Sequence, residues 1–231
     1  MEAVGRPTDF FLDISSHTPA FCRKFYRHPT MLLAHVCSIL SGYTARGRIE
    51  PATLGGVMMI QLRDLSANGR LDVSRLTRVQ LDDVQDRHLV HPGDVLFRSR
   101  GDRNTAAVVG EDLTEAALAV LPLMILRPKA NIVSGEYLTW AINHPQTQRF
   151  FDSVARGTKL RMVSRSSLEH LDLDIPDFET QQKIVAIAAL ADREQVLSVQ
   201  AAGLRKELTS KILGERAKRP RCAAATERTT K

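Results

Sequence analysis

Side chains able to donate several hydrogen bonds gather at two places in this chain. The first is Arg98-Ser99-Arg100-Gly101-Asp102-Arg103-Asn104, directly after an apolar run, and the second comprises Arg156, Lys159, Arg161, Ser164 and Arg165 with no acidic residue among them. Arginine can give paired hydrogen bonds to the O6 and N7 atoms of guanine and asparagine can do the same for adenine, whereas lysine and serine more often meet phosphate oxygens. A sparser third group, Thr44, Arg46 and Arg48, lies in a turn-rich stretch. The candidate DNA-contacting residues are therefore Thr44, Arg46, Arg98, Arg100, Arg103, Asn104, Lys159, Arg161, Ser164 and Arg165. Plain solvated surface charge is the competing reading of every one of them.

Catalytic patterns are poorly matched. A nucleic-acid methyltransferase needs a glycine-rich cofactor loop and an Asn/Asp-Pro-Pro-aromatic element, and Asn143-His144-Pro145-Gln146 lacks its second proline and its aromatic. A nuclease needs clustered carboxylates near a lysine for metal-assisted hydrolysis. Asp94 has no such companion, and its place in a Pro-Gly-Asp turn suits loop capping. The seven histidines show no pair at i, i+4 on a helix, and Cys22, Cys37 and Cys222 form no CxxC pair. The reading is a chain without catalytic residues, metal or cofactor. Tyr137, Trp140, Phe150 and Phe151 are spaced as one apolar helix face and read as core.

The formal net charge of +6 is unevenly placed. From Gly214 onward there are six basic and two acidic residues, which leaves a nearly neutral body of 213 residues at +2. The tail adds sequence-independent attraction to phosphates or aids solubility. The longest apolar run, Ala116 to Leu126, is broken by Pro122 and is far too short to cross a bilayer. The start of the chain lacks the pattern of a secretion signal. Expectation falls on a reducing cytoplasm, with no membrane role.

The elements that must hold the donors follow from pattern. Met31 to Ile39 reads as a strand or short helix entering an exposed loop, and Gly55-Gly56 precede a buried strand from Val57 to Leu62. Leu71 to Val90 suggests a hairpin and a short helix. Pro92-Gly93-Asp94 turns the chain into the strand Val95-Leu96-Phe97, and a further pair of strands is expected over Thr105–Gly110 and Ala117–Leu126. Ser134 is placed to cap one helix. Pro145 can open a second that stops at Gly157. Ser166 and Glu169 match a capping box, and Leu171 to Ile175 alternates as a strand before Pro176. From Glu179 to Leu213, Ile187, Leu190, Glu194, Leu197, Ala201, Leu204 and Leu208 recur in steps of three and four, the seam of a coiled coil interrupted by Glu194. A helix of about 35 residues would measure roughly 50 Å, too long to fold back on a small domain. The fold class is α+β: a mixed sheet with helices, followed by a long C-terminal helix that forms a coiled coil.

These pieces, in this order, resemble one half of a type I restriction-modification specificity subunit, a target-recognition domain followed by a helical spacer. The likeness runs through Ser41-Gly42-Tyr43-Thr44, Gly55-Gly56 before Ile60 and Asp64, Pro92 to Phe97, Tyr137-Leu138 with Trp140, and Gly157-Thr158-Lys159. It continues to Leu168, Ile175, Pro176, Gln181 and Ile184. Where the family has two prolines before the spacer this chain has Pro176-Asp177, and Thr180 stands where an acidic residue is frequent. The resemblance implies a recognition domain at 31–178 and a spacer helix at 179–213; an N-terminal extension at 1–30 and a basic tail at 214–231, expected to be disordered from its composition, lie outside it. It further implies that two such halves, joined through antiparallel spacers, each read part of a bipartite double-stranded DNA site for adenine methyltransferase subunits. The spacer would pair through Ile187, Leu190, Leu197, Ala201, Leu204 and Leu208, with itself or with a second recognition chain. A two-fold contact between copies is the commonest way to bury such a seam. The competing function is a coiled-coil adaptor that docks another protein without reading DNA.

Overall fold

The computed structural model describes residues 28–45, 50–52, 55–66, 69–81, 84–155 and 161–218. The described elements begin with β1 (Thr30–Leu32), the single turn α1 (Leu33–Val36) and β2 (Cys37–Ser41). The apolar stretch read as strand or helix is thus both. Strands β3 (Val57–Ile60), β4 (Thr77–Val79), β5 (Leu89–Val90), β6 (Val95–Arg98), β7 (Arg100–Gly101), β8 (Ala106–Val108), β9 (Ala117–Ala119) and β10 (Leu123–Pro128) follow, with short 3-10 turns between several of them. Helices α2 (Gly135–Asn143) and α3 (Pro145–Val154) come next. The last elements are β11 (Arg161–Met162), α4 (Arg165–Glu169), β12 (Asp172–Asp174) and α5 (Phe178–Lys218).

Three layers result. The central sheet, in the order β2-β10-β6-β8, is antiparallel throughout. Its residues alternate between two separate cores. Val95 and Phe97 of β6 and Leu126 of β10 face α2, α3 and α4, while Leu96, Leu123 and Ile125 face the second sheet. A sheet covered on both faces must be apolar at consecutive positions, which is why Val95-Leu96-Phe97 and Leu123 to Leu126 read as unbroken apolar runs. The second sheet, β4-β3-β9-β5, is mixed, with β3 and β9 parallel.

Several pairings differ from the sequence expectation. Residues 71–90 form no hairpin of their own: β4 pairs with β3 and β5 with β9. The strand expected over Ala117–Leu126 divides around Pro122, which has no N–H to give to a ladder, so β9 and β10 belong to different sheets. The short helix α4 is capped by Ser164, whose hydroxyl accepts from the Ser167 N–H at 3.0 Å, and not by Ser166. The expected stop at Gly157 lies outside the described residues; α3 ends at Val154.

Other local signals are met as written. The Ser134 hydroxyl accepts from the Tyr137 N–H at 3.1 Å at the start of α2, and Pro145 opens α3. Gly93 has φ +87°, a left-handed conformation that its place in the Pro-Gly-Asp turn requires. Asp94 caps that turn by accepting from the His91 N–H at 3.0 Å. It also receives two 2.9 Å bonds from the Arg127 guanidinium, which itself reaches Leu89 O. The bonds to Asp94 raise the Arg127 pKa above its already high value. The carboxyl once weighed as a nuclease group is a structural anchor between β6 and β10.

Helix α5 has 41 residues, about 60 Å at 1.5 Å per residue. Asp177 caps it: its carboxylate accepts from the Thr180 N–H at 2.9 Å and from the Thr180 hydroxyl at 3.1 Å. These bonds hold the Asp177 carboxyl below the ordinary carboxylate range. One turn on, Gln181 is fully buried. Its amide donates to Ile132 O at 3.0 Å and Pro176 O at 2.9 Å and accepts from the Ser134 N–H at 3.0 Å. Ile184 and Val185 pack on the core that α2 covers. Beyond them the apolar seam faces solvent, with Ile187 67%, Leu190 67%, Leu197 54%, Leu204 68% and Leu208 59% exposed and Ala201 half-buried. No helix among the described residues is long and apolar enough to cross a membrane.

Candidate nucleic-acid interface

The two donor clusters, some sixty residues apart in sequence, meet in a two-stranded antiparallel ribbon. Strand β7 pairs with β11, with Gly101 opposite Arg161 and Arg100 opposite Met162. The Val163 N–H extends the pairing to Ser99 O at 2.9 Å. Each strand has two residues, too few for any periodic signal, so the contact has no signature in the sequence.

The ribbon is anchored from behind. The Ser99 hydroxyl donates to Pro122 O at 2.6 Å, and its N–H reaches the same oxygen at 3.1 Å. The turn that carries Pro122 is bonded on its other side to Tyr43, through Tyr43 N–H to Ala119 O at 2.7 Å and Leu121 N–H to Tyr43 O at 3.0 Å. Exposed Thr44, next in the chain, therefore flanks the same turn as the ribbon. The described parts of the three groups thus lie around one turn. Exposed Leu121 and Met162 add apolar surface there.

Within that region the side chains are not equivalent. Arg100 and Arg103 are exposed, and Arg100 touches Met162 Sδ through Nη2 at 3.9 Å. Arg98 is half-buried and gives Nη2 to Leu62 O at 3.1 Å, and its backbone N–H closes the loop on Thr105 O at 2.9 Å. Asn104 is only 3% exposed. Its amide donates to Arg98 O at 2.9 Å, and its backbone oxygen accepts from Gln148 of α3 at 3.0 Å. It shapes the loop and presents no edge to a base. Ser164 is occupied as the α4 cap, and Arg165 pairs with Glu169 at 2.8 Å. Backbone places Arg161 in the ribbon; Arg46 and Lys159 lie outside the described residues.

Two residues that matter to this arrangement were not singled out as sites from the sequence. Gln148 braces the donor loop from α3, and Gln181 fixes the start of α5 against α2. Gln181 is among the residues that carry the family resemblance, but its type does not announce a buried position, because glutamine is ordinarily a surface residue.

An α+β domain followed by a long helix is the class this geometry defines. No family model matches the chain. Over 119 residues it is 30% identical to the type I restriction enzyme HindI specificity subunit of Haemophilus influenzae, a match covering 50% of this chain and 26% of that protein. Over 159 residues it is 24% identical to the putative type I restriction enzyme MjaX specificity subunit of Methanocaldococcus jannaschii, covering 63% and 37%. Among solved structures, the HsdS subunit from Thermoanaerobacter tengcongensis superposes with a TM-score of 0.56 at 19% identity, over 75% of this chain and 39% of that one. A chain from a structure describing complex assembly and conformational transition of a type I R-M system gives 0.58 at 19% identity, over 80% and 43%. In sequence and fold the chain is similar to type I specificity subunits, and it matches less than half of their length.

Proposed function

We propose that this chain reads one part of a DNA target for a restriction-modification assembly and does no chemistry itself. The observation that carries the reading is the β7–β11 ribbon, which joins the two donor-rich segments into one exposed surface on a fold shared with specificity subunits. Arg100, Arg103 and Arg161, with Thr44 beside them, are the base-reading and phosphate-positioning candidates. Arg46 and Lys159 belong to the same segments. Arg98, Asn104 and Ser164 hold the loop and the adjoining helix in place. Arg165, paired with Glu169, contributes less.

The seam of α5 brings together two recognition halves, two copies of this chain giving a split symmetric site. Adenine methyltransferase subunits would then be placed on the DNA by the paired halves. Catalysis resides in those partners.

Selection of bound sequences from a random duplex library tests this. The expected result is a two-part site with symmetric halves, bound with an affinity that falls steeply with salt. Arg100→Ala and Arg161→Ala each lose roughly 1 to 3 kcal/mol on the selected site, with relaxed preference at one base position, and Arg165→Ala loses less than either. Equal, unselective binding of all duplexes, or none at low salt, would overturn the reading and favour the adaptor.

A further inference from the structure

On the helical face of the domain lies a cleft of about 330 Å³ that the DNA reading does not use. Its walls are Tyr137 and Trp140 of α2, His144 between α2 and α3, Phe150 of α3, and the carboxylates Asp172 and Asp174 of β12. The rings form a continuous series: Tyr137 to Trp140 has a centroid separation of 5.4 Å, and Trp140 to His144 5.2 Å. Leu173 points into the core, so its neighbours Asp172 and Asp174 both stand on the exposed side of the strand. Among the described residues, no lysine or arginine lines the cleft. Aromatic faces beside two carboxylates suit a guanidinium or ammonium group, through ring quadrupole and charge together.

The chain carries such groups in the segment after Lys218, where Arg219, Arg221, Arg228 and Lys231 stand against the single acidic Glu227. The pairing of α5 decides where that segment arrives. The exposed apolar stretch of the helix runs from Ile187 to Leu213. Lys218 lies five residues beyond its end and Gln182 five before its start. An antiparallel pair with its two-fold axis at the middle of that stretch therefore sets Lys218 of one copy beside Gln182 of the other. The next residues of the first copy are then delivered to the start of the second copy's α5, just after Asp174.

We infer that the cleft between α2, α3 and β12 receives the basic C-terminal segment of a second copy, with an arginine side chain between Trp140 and the Asp172 and Asp174 carboxylates. The inference rests on the self-pairing proposed above. It gives the tail a role in locking the pair of halves.

Trp140 is the chain's one tryptophan and lines the cleft, so its emission reports occupancy directly. A chain ending at Lys218 is titrated with a synthetic peptide of residues 219–231, which contains no tryptophan. The expected result is a saturable change in Trp140 emission that the full-length chain already shows without peptide. Asp172→Asn with Asp174→Asn weakens the peptide at least tenfold, and a peptide with glutamine at Arg219, Arg221 and Arg228 does not bind. An unchanged emission up to millimolar peptide, or equal binding by the Asn variant, overturns the inference. Light scattering on the same samples separates the two readings: a monomer whose emission still responds to peptide refutes self-pairing alone, whereas a dimer that ignores peptide refutes the cleft alone.

Discussion

Replacing Gln181 by leucine tests how the long helix is held to the domain that it must orient. The wild-type amide makes three hydrogen bonds from a fully buried position, two as donor to Ile132 O and Pro176 O and one as acceptor from the Ser134 N–H. Leucine has a similar volume and leaves all three backbone groups without that partner. A buried neutral hydrogen bond contributes about 1 kcal/mol net, and an orphaned buried donor costs about 1 to 3 kcal/mol. The added apolar burial returns roughly 1 kcal/mol. The expected net loss is about 3 kcal/mol, roughly a hundredfold in the folding equilibrium and ~6–12 °C in Tm for a domain of this size. Urea unfolding followed by Trp140 emission measures it. Gln181→Glu supplies the control: an ionised glutamate keeps the acceptor and loses both donations, and protonation restores one, so its deficit shrinks as pH is lowered. A loss below about 1 kcal/mol for Gln181→Leu would refute the reasoning, because three buried bonds cannot be that cheap to orphan.

Asp94→Ala leaves the Arg127 guanidinium without its paired carboxylate and the His91 N–H without its cap; with Arg127 partly exposed, the expected cost is about 2 to 3 kcal/mol by urea unfolding. Leu197→Glu sets a charge in the middle of the exposed seam, and the proposed dimer of about 51 kDa, twice 25.7 kDa, is expected to become a monomer by light scattering. A mass unchanged by that substitution would remove the seam from the interface. Burial pushes the Cys37 thiol and the Tyr137 phenol each up to about 12, from 9.0 and 10.0. The folded state keeps these protons longer than the unfolded chain, so their contribution to stability is full below about pH 9 and is lost as pH rises toward 12. The urea midpoint should fall over that range, and Cys37→Ala should flatten part of the decline.

Whatever depends on near neighbours along the chain could be read without a structure. Ser134 capping α2, Pro145 opening α3, the Pro-Gly-Asp turn into β6 and the three-four spacing of the α5 seam all act through residues a few positions apart, where spacing alone sets the geometry. The donor types were legible too. What tertiary structure decided is which of them share a surface and which are spent internally. The β7–β11 ribbon joins Arg100 to Met162 across about sixty residues, and two-residue strands carry no periodic pattern to announce it. Asn104, Ser164 and Arg165 look like contact residues in a list of donors. Only their neighbours reveal one amide turned into its own loop, one hydroxyl capping a helix and one guanidinium held by Glu169. The physical reason is that a side chain's type sets what it can bond, while the fold sets which partner it meets first.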